Sequence, residues 1–280
     1  MLRSLLFVPA DRPERFGKAA SSGADAIIID LEDSVSPERK SYGRDAIREW
    51  LAGDPQVTTF VRVNSLKSSF LSDDLAALEG VCVQGVVLPK AEGADSVQRL
   101  VALFRAGVIP PILPIATETP AAVFQLGSYA SVAHRLIGLT WGAEDLPAAI
   151  GATTSREIDG SYTAPYEMAR SLTLFGAHAA SVDAIETIFP KLDAAEDFTA
   201  YVARARRDGF TGMMAIHPAQ IEGINAGFTA TDEEILLAQE IVEAFDSNPG
   251  AGALRLHGAM IDRPHLIQAR RVLAQSEHTI

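Results

Sequence analysis

Ile27-Ile28-Ile29-Asp30-Leu31-Glu32-Asp33 is a short apolar run that breaks into acids, and it is one of eight such figures in the chain. Upstream lies Leu5-Leu6-Phe7-Val8; downstream come Phe60-Val61-Arg62-Val63-Asn64, Val86-Val87-Leu88 before Pro89-Lys90, and Ile112 to Ile115 before Thr117-Glu118. The second half adds Leu136 to Trp141 before Gly142-Ala143-Glu144-Asp145, then Val182 to Ile188, then Met213 to Ile216 before His217. Each run has the length of a strand, and most intervals, at about 22 to 32 residues, hold one crossover helix. Eight βα steps predict a (β/α)8 TIM barrel, an α/β fold whose chemistry sits where the strands end, and the polar residues fall at those ends.

Between the runs, helical periodicity marks Asp73 to Leu78, Asp95 to Phe104 and Ala164 to Phe175. Beyond residue 228 the rhythm changes. Thr231 to Phe245 reads as a helix with Thr231 as N-cap and Glu234 in capping-box position, and Asp246-Ser247-Asn248-Pro249-Gly250 breaks it. A Gly/Ala stretch follows to Gly258, and a last helix is expected from Arg263-Pro264. Residues 1–228 are therefore read as the barrel and 229–280 as a C-terminal helical extension or lid.

The 280 residues suit one such barrel with an appendage, and 48% hydrophobic with 21% charged residues is ordinary for a globular chain. A formal net charge of −12 repels nucleic acid and anionic lipid, which favours a small-molecule substrate. The one cysteine, Cys82, lies in an apolar run and is expected to be a buried structural thiol. The apolar run after Arg3 is too short for a signal-peptide core and no run approaches a membrane span, so a cytoplasmic protein is expected.

The strand ends carry the chemistry. Glu118 after the fifth run and Asp145 after the sixth come from neighbouring strands; both can share a hard divalent cation, or each can be a solvated or salt-bridged carboxylate. Mg2+ suits the first reading, because it commonly takes one or two protein carboxylates and fills its other positions with water and substrate oxygens. Arg62 is a charge in an apolar strand, placed either to grip a substrate carboxylate through two parallel hydrogen bonds or to pair with Glu32 or Asp33. Asp30, Glu32 and Asp33 are then supports behind the site or that pair's other half. Lys90 can be an electrostatic helper, a Schiff-base lysine or a salt-bridged one.

Seven segments in order carry a resemblance: Arg3-Ser4-Leu5-Leu6-Phe7-Val8-Pro9-Ala10, Asp30-Leu31-Glu32-Asp33, Val61-Arg62-Val63-Asn64, Leu88-Pro89-Lys90-Ala91-Glu92, Trp141-Gly142-Ala143-Glu144-Asp145-Leu146, Ala215-Ile216-His217-Pro218-Ala219-Gln220-Ile221 and Gly258-Ala259-Met260-Ile261-Asp262. From Arg3 to about Leu273 the chain resembles the citrate lyase β-subunit family, with its malyl-CoA and citramalyl-CoA lyases, within the class II aldolases related to 2-oxo acid aldolases. The resemblance implies that Glu118 and Asp145 hold Mg2+ (Mn2+ being an alternative), that Arg62 contacts the oxo-acid part of the substrate, and that Pro9, Ala10, Gly142 and Ala143 line it. It also implies that Asp262 is the proton donor or base, delivered from a neighbouring subunit of a homo-oligomer, often a trimer; as a residue, Asp262 serves equally as a helix N-cap.

The implied reaction cleaves a 3-hydroxyacyl-CoA such as malyl-CoA, citramalyl-CoA or citryl-CoA to an acyl-CoA and a 2-oxo acid. Arg12, Arg15, Lys40 and Arg44 are then expected to meet CoA phosphates. Two alternatives stand beside it: a subunit acting on a citryl group borne by an acyl carrier protein, and an aldolase acting on free 2-oxo-3-hydroxy acids. The chain departs from many relatives after the seventh run, where Ala184-Ile185-Glu186-Thr187-Ile188-Phe189-Pro190 replaces an Asp-Gly or comparable acidic turn.

Overall fold

A computed structural model describes residues 2–105 and 108–277. All eight runs are strands: β1 Ser4–Pro9, β2 Ala26–Asp30, β3 Thr58–Arg62, β4 Gly85–Leu88, β5 Ile112–Pro114, β6 Gly138–Thr140, β7 Asp183–Glu186 and β8 Gly212–Ala215. They form one parallel sheet in the order β5-β4-β3-β2-β1-β8-β7-β6. Parallel bridges Ile112↔Leu136 and Ile115↔Thr140 join β5 to β6, with Ala116 N donating to Thr140 O at 2.8 Å, so the sheet closes on itself.

The strands read as unbroken apolar runs because helices cover one face while the barrel interior covers the other. Leu5, Ile28, Phe60, Val87, Leu113, Ile185 and Met214 form one buried cluster, drawn from seven of the strands. Side chains alternate along a strand, so two residues beyond Ile28 and Phe60 the same inward face carries Asp30 and Arg62. The register sets these two side by side, Asp30↔Arg62. The interior is thus apolar below and charged at the mouth.

Helices Leu71–Leu78, Ala94–Leu103 and Ala164–Ala179 occupy the predicted crossovers. Cys82 departs from expectation: it is exposed, because Val81-Cys82-Val83 is not a strand but a loop that follows Gly80 at φ 76°.

The chain divides into two compact units, Leu2–Asn225 and Ala226–Ile280, within helix Ile221–Phe228. Residues 278–280 of the expected extension lie outside the described residues. In the second unit Thr231 caps helix Asp232–Asp246 through a capping box with Glu234, and a further helix spans Arg263–Glu277. The Gly/Ala stretch is instead a hairpin, β9 Ala253–Leu256 and β10 Ala259–Asp262, turned at His257 (φ 49°) and Gly258 (φ 83°). Two successive positive φ values match the twist of paired strands. Ala238, Ile241, Phe245, Ile261 and Ala269 give this unit a core of its own. Thr231→Ala is expected to destabilise the capped helix by about 1 kcal/mol, read as faster amide exchange over Asp232–Asp246.

Candidate active site

At the C-terminal ends of β2 to β6, five carboxyl groups converge on two cationic side chains. Arg62, closing β3, forks onto Asp30, closing β2: Nε to Oδ1 at 2.6 Å and Nη2 to Oδ2 at 2.7 Å. Its Nη1 lies 3.1 Å from Glu32 Oε2, and its guanidinium sits 5.0 Å from the Phe7 ring centroid. Asp30 also accepts from Glu32 N and Ser34 N at 2.9 and 3.1 Å. Burial alone would raise the Asp30 carboxyl, but Arg62 and these donors hold it below the usual range. Glu32 goes the other way: burial lifts its carboxyl despite Arg62 and Lys90.

Lys90, just past β4, is the second cation. Its Nζ lies 2.6 Å from Glu32 Oε1, 3.3 Å from Asp145 Oδ1 and 3.5 Å from Asp33 Oδ2. Its backbone N–H donates to Glu118 Oε2 at 2.5 Å. Glu118 is 3% exposed, and burial together with the Asp145 charge pushes its carboxyl up to about 8. Burial is the larger cause and the neighbouring Asp145 carboxylate the second, and both disfavour the charged form. Among the described residues no group of three or more His, Cys, Asp or Glu side chains is placed to hold a metal ion. The acid pair Glu118 and Asp145, brought together around Lys90, nevertheless fits Mg2+, which needs only one or two protein carboxylates, and a cation between them would offset their mutual repulsion.

Gly142 makes room for this pair. A Cβ there would lie 2.6 Å from Glu118 Cγ, and Gly142 N donates to Thr117 Oγ1 at 3.2 Å. Gly142→Ala must therefore move Glu118 or the β6 exit. It is expected to cost about 1–3 kcal/mol in urea unfolding, whereas Gly127→Ala, with nothing within 4 Å of its added Cβ, serves as the neutral comparison.

Beside Gly142, Trp141 Nε1 donates to Glu186 Oε1 at 2.5 Å. Glu186 is fully buried at the end of β7 and also accepts from Thr187 N (2.9 Å), Tyr201 Oη (3.0 Å) and Arg170 Nε (2.7 Å). Arg170 in turn binds Asp208 through Nη1 at 2.7 Å. Glu186, where the sequence departs from an acidic turn, is thus an internal anchor for the segment that carries Asp145.

Two family models cover the chain. One, described as HpcH/HpaI aldolase/citrate lyase, matches residues 3–218, and the other, described as C-C bond lyase of the TIM-barrel fold, matches residues 164–279. The chain belongs to the HpcH/HpaI aldolase/citrate lyase family. This is an enzyme family of carbon–carbon lyases and aldolases. A citrate lyase subunit beta-like protein of Mycobacterium tuberculosis is 34% identical over 271 residues, covering 97% of this chain and 94% of its own. A (3S)-malyl-CoA thioesterase of Cereibacter sphaeroides is 30% identical over 280 residues, covering 98% and 94%. The crystal structure of CitE from Mycobacterium tuberculosis in complex with magnesium, acetoacetate and coenzyme A superposes with a TM-score of 0.83 at 33% identity, covering 98% of each chain. No helix among the described residues is long and apolar enough to cross a membrane.

In this HpcH/HpaI family member, Asp30, Glu32, Asp33, Arg62, Lys90, Glu118 and Asp145 come together in one mouth. The partners differ in detail from expectation: Arg62 pairs chiefly with Asp30, then Glu32, and Asp33 pairs with Lys90 instead. Lys90 is salt-bridged. Pro9 and Gly142 are partly exposed, but Ala10 and Ala143, at 0% and 1% exposure, back the wall and offer no side chain to a ligand.

Lys40 does not stand at the surface to meet a phosphate. It is buried, with Nζ donating to the carbonyls of Leu31 at 2.6 Å and Glu32 at 2.9 Å, so it braces the acidic loop from behind. Arg44 is likewise engaged, with Asp74 Oδ1 and Phe70 O. Arg12 and Arg15 are exposed after β1, joined by Arg39, which the sequence reading passed over; Arg39 stacks 4.3 Å over the Tyr42 ring and lies 3.5 Å from Asp11. Asp262, ending β10, has its Oδ1 2.6 Å and its backbone N 3.2 Å from His265 Nδ1, a single nitrogen that donates to the first when it carries the proton and accepts from the second when it does not. His265 carried no signal in the sequence beyond its spacing of three.

Proposed function

We propose that this chain is a Mg2+-dependent carbon–carbon lyase that cleaves, or forms, a 3-hydroxyacyl-CoA such as malyl-CoA, citramalyl-CoA or citryl-CoA, giving an acyl-CoA and a 2-oxo acid. One observation carries the reading: Arg62 and the carboxylates Glu118 and Asp145 meet in one mouth where acids outnumber cations. The relative bound to magnesium, acetoacetate and coenzyme A, and the relative named for malyl-CoA, support the same substrate class.

Glu118 and Asp145 are the residues to hold the metal, which would supply charge stabilisation for the oxygens of the oxo-acid half. Arg62 presents the rest of its fork to the substrate carboxylate, with Asp30 and Glu32 fixing its plane. A base takes the 3-hydroxyl proton, the carbon–carbon bond breaks, and its electron pair becomes the enolate of the acyl thioester. Asp262, contributed by a neighbouring copy in a homo-oligomer, with a trimer as the expected assembly, gives that carbon its proton; in the reverse direction it takes the proton away. Arg12 meets the CoA phosphates. The enzyme works in the cytoplasm.

The test is turnover of malyl-CoA, citramalyl-CoA and citryl-CoA by the purified chain, with and without EDTA, beside Glu118→Gln and Asp262→Asn. Loss of one thioester with matching gain of acyl-CoA and 2-oxo acid, abolished by EDTA and by both substitutions, is the expected result. Free CoA with the intact hydroxy acid would move the reaction to thioester hydrolysis, the activity for which the Cereibacter relative is named. Inertness on all three would turn the search to a carrier-protein-bound citryl group or to free 2-oxo-3-hydroxy acids.

A further inference from the structure

Lys90 touches both carboxylates of the acid pair, and by different atoms. Its backbone N–H holds Glu118 while its ammonium reaches Asp145, with Glu32 and Asp33 as two further acceptors around the same Nζ. The residue adopts φ 53°, a left-handed conformation that costs a non-glycine residue on the order of 1 kcal/mol. Such outliers persist where the surroundings over-determine them. The three carboxylates are unequal partners: Glu32, at 2.6 Å, is buried and hydrogen-bonded, whereas Asp145, at 3.3 Å, is a looser contact.

A divalent ion bound by Glu118 and Asp145 would sit within a few ångströms of that ammonium, and two cations so close repel strongly in a partly buried site. The ammonium has somewhere else to go. We infer that Lys90 is a resident counter-cation: it contends with the divalent ion for Asp145, yields that carboxylate when the ion binds, and withdraws onto Glu32 and Asp33. This rests on the metal reading above and adds to it a residue that sets the strength of metal binding. As a positioning residue, Lys90 weakens the affinity of the acid pair for the ion while its backbone keeps Glu118 aligned.

Mn2+ binding to the full-length protein, followed by the electron paramagnetic resonance of the free ion, tests this without recourse to turnover. Lys90→Met is expected to bind Mn2+ about ten-fold more tightly than wild type, a modest figure for removing a unit charge from a partly screened site. Lys90→Arg restores the cation and should return the affinity to within about three-fold of wild type. Lys67→Met removes an exposed lysine, paired with Glu92 at 3.2 Å, and should leave it unchanged. Equal or weaker Mn2+ binding by Lys90→Met overturns the inference, and binding by neither wild type nor Lys90→Met removes the metal site along with it. Should Lys90→Met not fold, Lys90→Gln, which keeps a polar partner for Glu32 while removing the charge, takes its place: tighter Mn2+ binding than wild type is again expected, and equal or weaker binding overturns the inference.

Discussion

Arg170→Met is expected to lower the unfolding free energy by about 3–5 kcal/mol, because it strands a carboxylate in the protein interior. Glu186 has no solvent exposure and keeps only neutral donors, Trp141, Tyr201 and Thr187, once the guanidinium is gone. The arginine is itself buried, and its Nη2 has no hydrogen-bond partner, so the pair is valued for what breaking it exposes more than for net attraction. Urea unfolding of Arg170→Met against the double variant Arg170→Met/Glu186→Gln separates the two contributions. Removing both charges should recover a large part of the loss; a double variant no more stable than the single one would show that the defect is packing against Phe210, whose ring lies 4.7 Å from the guanidinium.

On the proposed lyase reading, Arg62→Lys should lower kcat/KM for the thioester that the chain turns over by about 10²–10³, the scale for losing one well-placed donor at a charge-bearing oxygen. Lysine keeps a positive charge beside Asp30 but cannot form a planar fork, so its effect on folding should stay well below that of an uncharged replacement. Parallel measurement of urea unfolding and of the three thioesters distinguishes the roles. A variant within ten-fold of wild type on its best substrate would make Arg62 a structural counter-ion for Asp30 and nothing more.

The fold was legible because its signal is repetitive. Strands buried on both faces appear as uninterrupted apolar runs, and the capping box at Thr231 is a local pattern that needs no tertiary knowledge. What escaped depends on distance in the chain. Lys40 looks like a surface cation after Pro37, yet its long stem carries Nζ back to the carbonyls of Leu31 and Glu32, a path that exists only once the loop has folded. Asp30 as the partner of Arg62 follows from strand register, which apolar runs alone do not reveal. Arg170 and Glu186 are separated by a helix–strand step, and neither has a nearby residue that announces the pair.

The hairpin was missed for a different reason. Its strands are half exposed and poor in β-branched residues, so their alternation is faint, although His257-Gly258 is a turn chemistry that a search for paired positive φ values would notice. Cys82 shows the converse: its apolar run reads as buried, yet the segment is a loop that leaves the thiol exposed. At the candidate site the residue types and their strand ends were readable, but the way Lys90 ties them together was not, since it depends on a backbone conformation rare for lysine.

The two acids at the mouth are held with unequal firmness. Glu118 is enclosed, clasped by a backbone donor and seated against a glycine with no space to spare, while Asp145 is one-third exposed and heads the short helix Leu146–Ile150, ahead of a long connection to Ala164. The mouth therefore sets an acid held on every side against one whose surroundings leave it room. On the proposed lyase reading, differences in acyl size are expected to be met on the β6 side, between residues 146 and 163, and not around Glu118.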